Sequence, residues 1–227
     1  MLIKNIFARG NAPNLFFFKK VWLLQIKAVL LQYASQSSLT AQLAAHYRHT
    51  RRETDKSEFR SMKMELRKWS LTDYKELKDL CNAVDRSYLS DRLPNPYTED
   101  DANWWLNMVA KSEGIDGTFR AMVVDGKIVG SVSVERKADI YRLDGELGYM
   151  LLKDYWNRGL MSQAVGQVCE IAIKELGLNR ITANVFHTNI ASQHILQKNG
   201  FKQEGIMRKA VIKEGIFYDI LIYGLLK

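Results

Sequence analysis

Seven consecutive residues, Trp156-Asn157-Arg158-Gly159-Leu160-Met161-Ser162, have the types and spacing of an anion-binding turn. They follow a strand-like run, Glu146 to Leu152. They open an apolar-periodic helix carrying Leu160, Ala164, Val168, Cys169, Ala172, Ile173 and Leu176, which stops at Gly177. The first N–H groups of a helix have no partner within it, and the aligned peptide dipoles add positive potential there. A phosphate satisfies both. Gly159 lets the backbone approach an oxyanion without a Cβ in the way. Arg158 is either a charge-assisted donor to that anion or a solvated loop arginine. One such turn is a weak signal on its own. About thirty residues further on, Asn189-Ile190-Ala191-Ser192 begins a second helical stretch that ends at Lys198-Asn199-Gly200-Phe201.

In this order and spacing the two segments resemble the GNAT superfamily of acetyl-CoA-dependent N-acetyltransferases. The pyrophosphate loop of that superfamily reads Gln/Arg-x-x-Gly-x-Gly/Ala, and the six places hold Trp156, Asn157, Arg158, Gly159, Leu160 and Met161. Trp156, the preceding Glu146-Leu147-Gly148-Tyr149 and the tail Glu204-Gly205, Arg208, Gly215 and Tyr218-Asp219 are similar to the RimJ/RimL branch. Members of that branch acetylate N-terminal amines of ribosomal proteins. The resemblance covers roughly residues 62 to 227.

Acetyl-CoA is therefore the implied cosubstrate and an amine the implied acceptor, either a protein N-terminus or a small amine such as a polyamine. A domain that binds acetyl-CoA without turnover is the third reading. The cofactor-binding set is Leu151 and Leu152 through their backbones, the run Asn157, Arg158, Gly159, Leu160, Met161 and Ser162, and Asn189. Asn189 also suits a plain helix N-cap. Glu146 is the candidate general base, acting through water, or an ordinary strand carboxylate. An α-amine near pKa 8 needs less help from it than a lysine near 10.4.

Ser192, three residues after the motif Asn189, is the candidate proton donor to the thiolate, or a helix-surface serine. Three residues depart from the family pattern. Leu196 stands where some members carry a tyrosine acid, Asn184 where some carry a glutamate base, and Met161 where a small residue is preferred. Tyr149, Tyr155 and Trp156 read as packing. Asp85, Asp91, Glu99, Asp100 and Asp101 would suit a cationic acceptor, although Glu99 to Asp101 also open a helix, where acids are expected without a substrate.

Charge divides the chain. Residues 1–60 hold 10 Lys/Arg and 3 Asp/Glu, whereas the remainder holds 23 and 22. The main domain is thus nearly neutral, with no basic stripe for nucleic acid. The lysines Lys19, Lys20 and Lys27 interrupt the apolar leader, and the uncharged run from Ala28 to Tyr47 is too polar to span a membrane. Residues 1–61 are read as a basic, acid-poor extension. It is a surface-seeking amphipathic helix, an organelle-type presequence, or an extension without a role upstream of Met62 and Met64. A chain beginning at Met62 is expected to keep its melting temperature and cofactor affinity, and loss of soluble protein on truncation would overturn this. Two cysteines, Cys81 and Cys169, and four scattered histidines form no disulfide framework or metal pattern. A reducing, cytoplasmic setting is the default, and the resemblance leaves room for a homodimer.

Periodicity places a strand at Met64–Trp69 and helices after Ser70 and Thr98. A hairpin turns at Asp125-Gly126, a strand runs from Leu143 to Leu152, another from Arg180 to Phe186, and a last hairpin turns near Glu214-Gly215. The resemblance implies an α/β (α+β) fold for residues 62–227. It has a mixed sheet of about seven strands, two of them splayed, with about four helices.

Overall fold

The computed structural model describes residues 63–227. The expectations for the leader, residues 1–61, lie outside the described residues.

Strand β1 (Met64–Lys68) is followed by Ser70, whose hydroxyl accepts the Thr72 N–H while Asp73 accepts the Ser70 N–H at 2.8 Å. This reciprocal cap closes a 3-10 turn, Leu71–Asp73, that runs into α1 (Tyr74–Ala83). Thr98 and Asp101 start α2 (Glu99–Ser112) in the same way. Asp125 and Gly126, both at positive φ, turn β2 (Gly117–Val124) into β3 (Lys127–Arg136). There follow β4 (Asp144–Leu151), α3 (Leu160–Leu176), β5 (Arg180–Phe186), α4 (Ile190–Lys198), β6 (Lys202–Lys213) and β7 (Ile216–Leu226).

The expected element order and the mixed seven-stranded sheet with four helices are found. The strands lie in the order β1-β2-β3-β4-β5-β7-β6, and every pair is antiparallel except β4–β5. One face carries the main core, in which Leu147 and Leu151 of β4 meet Ala164, Val165 and Val168 of α3 and Leu196 of α4. On the other face Leu77 and Cys81 of α1 and Ala102 and Leu106 of α2 form a second cluster, against which Met150 packs. β4 thus sends alternate side chains to opposite faces.

The parallel pair is short. Only Asp144, Gly145 and Glu146 pair with Arg180, Ile181 and Thr182. β4 goes on with β3 as far as Leu151 while β5 goes on with β7 as far as Phe186, so the two strands part in a V. The closed end is pinned. Asp144 is 9% exposed, and its carboxylate accepts the Thr182 hydroxyl at 2.8 Å and Lys137 Nζ at 2.7 Å. A Cβ on Gly145 would meet Val134 Cγ1 at 2.6 Å, so no bulkier residue fits there.

Asp144→Ala is expected to lower stability by about 1–3 kcal/mol, since it leaves the buried Thr182 hydroxyl without its acceptor and takes the carboxylate from Lys137. The denaturant midpoint measures this, and an unchanged midpoint would show that the pin is unimportant.

Candidate active site

The phase of the β3–β4 ladder decides which backbone groups face the open part of the V. At one end the Leu152 N–H donates to the Val129 carbonyl, and at the other the Lys137 N–H donates to that of Asp144, both at 2.9 Å. Bonded pairs recur at every second residue of an antiparallel ladder. Leu147, Tyr149 and Leu151 therefore turn their N–H and C=O groups away from β3. The Leu143 carbonyl, in the same phase, accepts the N–H groups of Asn179 and Arg180 beside β5. Past Glu146 that partner is gone. The Trp156 indole N–H takes the Leu151 carbonyl at 2.8 Å, which leaves the Leu151 N–H and both Tyr149 groups edging the gap.

Leu152, expected to join them, does not. It is out of phase by one residue, with its N–H spent on Val129 and its carbonyl on the Tyr155 N–H at 2.9 Å.

The gap continues into a cleft of about 600 Å³ that runs from Tyr149 and Leu151 past the Gly159 turn to Asn189 and Ser192. The turn is built for close approach. Asn157 and Gly159 have φ of 59° and 70°, the left-handed region that Asn tolerates and Gly adopts freely. Gly159 caps α3 without a side chain, and the Gln163 N–H is the first to bond back, to the Gly159 carbonyl at 3.1 Å. The N–H groups of Leu160, Met161 and Ser162 have no partner inside the helix, and all three residues line the cleft. Met161 is harmless there because its side chain is 5% exposed and packs in the core. Arg158 lines the cleft with its guanidinium 5.5 Å from the centre of the Tyr155 ring.

Across the cleft, Asn189 Oδ1 accepts the Ser192 N–H at 3.1 Å, so this residue caps α4 while also lining the cleft. Leu196 is wholly buried in the core, which removes any acid from that position. Tyr149 lies on the same side of the sheet as Ser192 and borders the cleft.

Glu146 and Ser192 are not brought together. Even-numbered β4 side chains face α1 and α2, so Glu146 sits on the opposite face of the sheet from Ser192, at the crotch of the V. Asn184 Nδ2 donates to Glu146 Oε1 at 3.3 Å, so the residue that breaks the family pattern holds the candidate base. Glu135 stands directly across the ladder from Glu146. It keeps an exposed edge, yet burial raises its carboxyl above the ordinary value. Arg92 opposes that shift and the Glu146 charge adds to it.

Along the same two rows lie Ser131, Ser133, Gly148 and Met150, which with Leu89 and Leu93 line a second, open cavity of about 210 Å³. Glu135 was not singled out from the sequence, and Tyr149 was read there as packing. Glu135 could have been found only from the β3–β4 register, which no turn motif announces.

The acidic cluster read from the sequence is dispersed. Asp91 pairs with Lys213 at 2.6 Å, Glu99 pairs with Lys78 at 2.7 Å, and Asp101 caps α2. Asp85 alone of the five lines the cleft. Among the described residues no helix is long and apolar enough to cross a membrane, and no cluster of His, Cys, Asp or Glu is placed to hold a metal.

The fold is similar to that of known proteins. A GNAT-family acetyltransferase from Streptococcus pneumoniae is 27% identical, with a TM-score of 0.62 over 72% of this chain and 99% of its own. A ribosomal-protein alanine acetyltransferase from Vibrio fischeri is 20% identical, with a TM-score of 0.63 over 72% and 92%. The ribosomal-protein α-N-acetyltransferase RimL, solved with coenzyme A, is 18% identical, with a TM-score of 0.64 over 72% and 93%. No curated protein matches the chain in sequence. The acetyltransferase (GNAT) domain model matches residues 63–202, and the chain belongs to the GNAT acetyltransferase family.

Proposed function

We propose that this chain transfers an acetyl group from acetyl-CoA to a primary amine, a protein N-terminal amine of the RimJ/RimL kind. The observation that carries the reading is the β4–β5 gap, which leads directly onto the uncapped N-terminus of α3. Acetyl-CoA supplies an activated thioester. The free N–H groups of Leu160, Met161 and Ser162, with Arg158 beside them, suit its pyrophosphate. The free backbone groups of Tyr149 and Leu151 suit the amides of its pantetheine arm, with Asn189 facing them. A Leu151 N–H aimed into the gap polarises a carbonyl as an oxyanion-hole donor does.

Glu146 takes the proton of the attacking amine through water, and Asn184 fixes its orientation. The second cavity receives the acceptor, since it opens on the Glu146 face and shares Tyr149 with the cleft. Its lining of Leu89, Leu93, Met150, Ser131 and Ser133 offers apolar and hydroxyl surface. That suits a small N-terminal side chain better than a polyamine, whose several charges would need several free carboxylates. The ion pairs and cap that engage Asp91, Glu99 and Asp101 support the same choice. The side chains of Met161 and Leu196 are buried in the core, and Asn184 holds Glu146, so none of the three departures argues for a dead site.

Thiol release from acetyl-CoA, followed with peptides bearing a free N-terminal Ala or Ser, with spermidine and with an aminoglycoside, tests the proposal. Turnover with the peptides alone is expected. Turnover with spermidine alone would reassign the acceptor, and none with any amine would leave only a binding domain.

A further inference from the structure

Granting that reaction, one buried group lies in the site without an assigned task. Tyr149 borders both cavities, the cleft and the acceptor pocket. Its hydroxyl oxygen is shielded from water and has no hydrogen-bond partner in the structure. Orphaning a buried hydroxyl typically costs about 1–3 kcal/mol, so an unpaired one beside a ligand cleft marks a place where a ligand atom completes the bonding. Among the described residues, the other side chains in this condition, Trp69, Thr118, Arg136 and Tyr223, line neither cavity.

The Ser192 hydroxyl on α4 neighbours the Tyr149 phenol without reaching hydrogen-bond geometry, and both residues line the cleft. It is the sole influence lowering a phenol that burial pushes up to about 12. The family's tyrosine position on α4 holds the buried Leu196, so no phenol reaches the cleft from that helix.

We propose that Tyr149 is the general acid of this enzyme, donating its phenolic proton to the departing thiolate, with Ser192 as the relay that restores it. The amine nitrogen forms a bond to the acetyl carbonyl carbon, and the carbon–sulfur bond breaks with its electron pair going to sulfur. The Tyr149 Oη–H proton passes to that sulfur and yields the free thiol. The resulting phenolate takes a proton from the Ser192 hydroxyl, which takes one from water in the cleft. The amine proton leaves on the other face through Glu146, so one proton enters and one leaves. A phenol held protonated by burial remains a donor across the whole range in which an α-amine near pKa 8 is neutral.

Tyr149→Phe keeps the ring and deletes the hydroxyl. It should lower turnover with acetyl-CoA at least about tenfold, toward the low end of general-acid effects, while coenzyme A still binds by calorimetry. Ser192→Ala should lower turnover less, because water can replace a relay. With an S-aryl thioacetate, whose acidic thiol leaves unprotonated, the Tyr149→Phe defect should vanish, whereas a packing role would slow both donors alike.

A readout without turnover is the ultraviolet titration of tyrosine. Subtracting Tyr149→Phe from the unmodified protein isolates one phenol titrating above the ordinary value near 10, and coenzyme A should shift it. Equal turnover of Tyr149→Phe and the unmodified protein with acetyl-CoA, or a phenol that ignores coenzyme A, overturns the role of Tyr149 and leaves the transferase reading standing. An unmodified protein that acetylates no amine overturns both.

Discussion

Gly159→Glu is expected to weaken coenzyme A binding at least about tenfold. Two effects act together. Gly159 sits at a φ of 70°, where a side chain costs about 1–2 kcal/mol. The new carboxylate also faces the pyrophosphate across a turn in which nothing lies within 4 Å of the added Cβ. Two like charges 4 Å apart repel by about 4 kcal/mol at an effective dielectric of 20. Solvent screening and rotation of the side chain away from the ligand reduce this, but 1.4 kcal/mol suffices for a tenfold loss.

Gly159→Asn separates the two effects, since Asn tolerates the left-handed region and carries no charge. It should bind nearly as well as the unmodified protein. Raising the salt concentration should restore part of the affinity of Gly159→Glu. Unchanged affinity of the Glu variant by calorimetry would remove the pyrophosphate from this turn.

Glu146→Gln is expected to lower turnover at least about tenfold, within the range of general-base effects, with little change in acetyl-CoA affinity. The amide keeps an oxygen for the Asn184 Nδ2 donor and loses only the proton acceptor. The defect should shrink as pH rises. An α-amine of pKa near 8 is about 1% neutral at pH 6 and about 97% neutral at pH 9.5, so the base has less to do. The substitution also removes one of the two influences that raise the Glu135 carboxyl, which makes Glu135 a better anion and a partial substitute. Glu135→Gln combined with Glu146→Gln should therefore exceed the single defect. A single defect that stays constant from pH 6 to 9.5 would make Glu146 structural and leave the amine to arrive deprotonated from solvent.

The local parts of this site were written locally. Gly159 before an apolar-periodic helix specifies a turn with free N–H groups, because φ preference and helix ends are properties of neighbouring residues. Asp125-Gly126 and the Ser70 and Thr98 boxes specify the hairpin and two helix starts for the same reason. Through them, and through the order of its motifs, the sequence determined the family, the element order and the anion turn.

What it left open depends on pairing between distant strands. That Leu151 faces the gap and Leu152 does not is a matter of ladder phase, and a slip of one residue reverses it. The cross-strand placing of Glu135 beside Glu146, the Asn184 bond, the dispersal of the acidic cluster and the burial of Met161 and Leu196 all arise from register and packing. Tyr149 carries the same pattern signal as Leu147 or Leu151, an inward position on one strand. Only the tertiary structure decides that its hydroxyl ends buried and unpaired on a residue that lines the cleft, because the V opens just beyond the last β4–β5 pair.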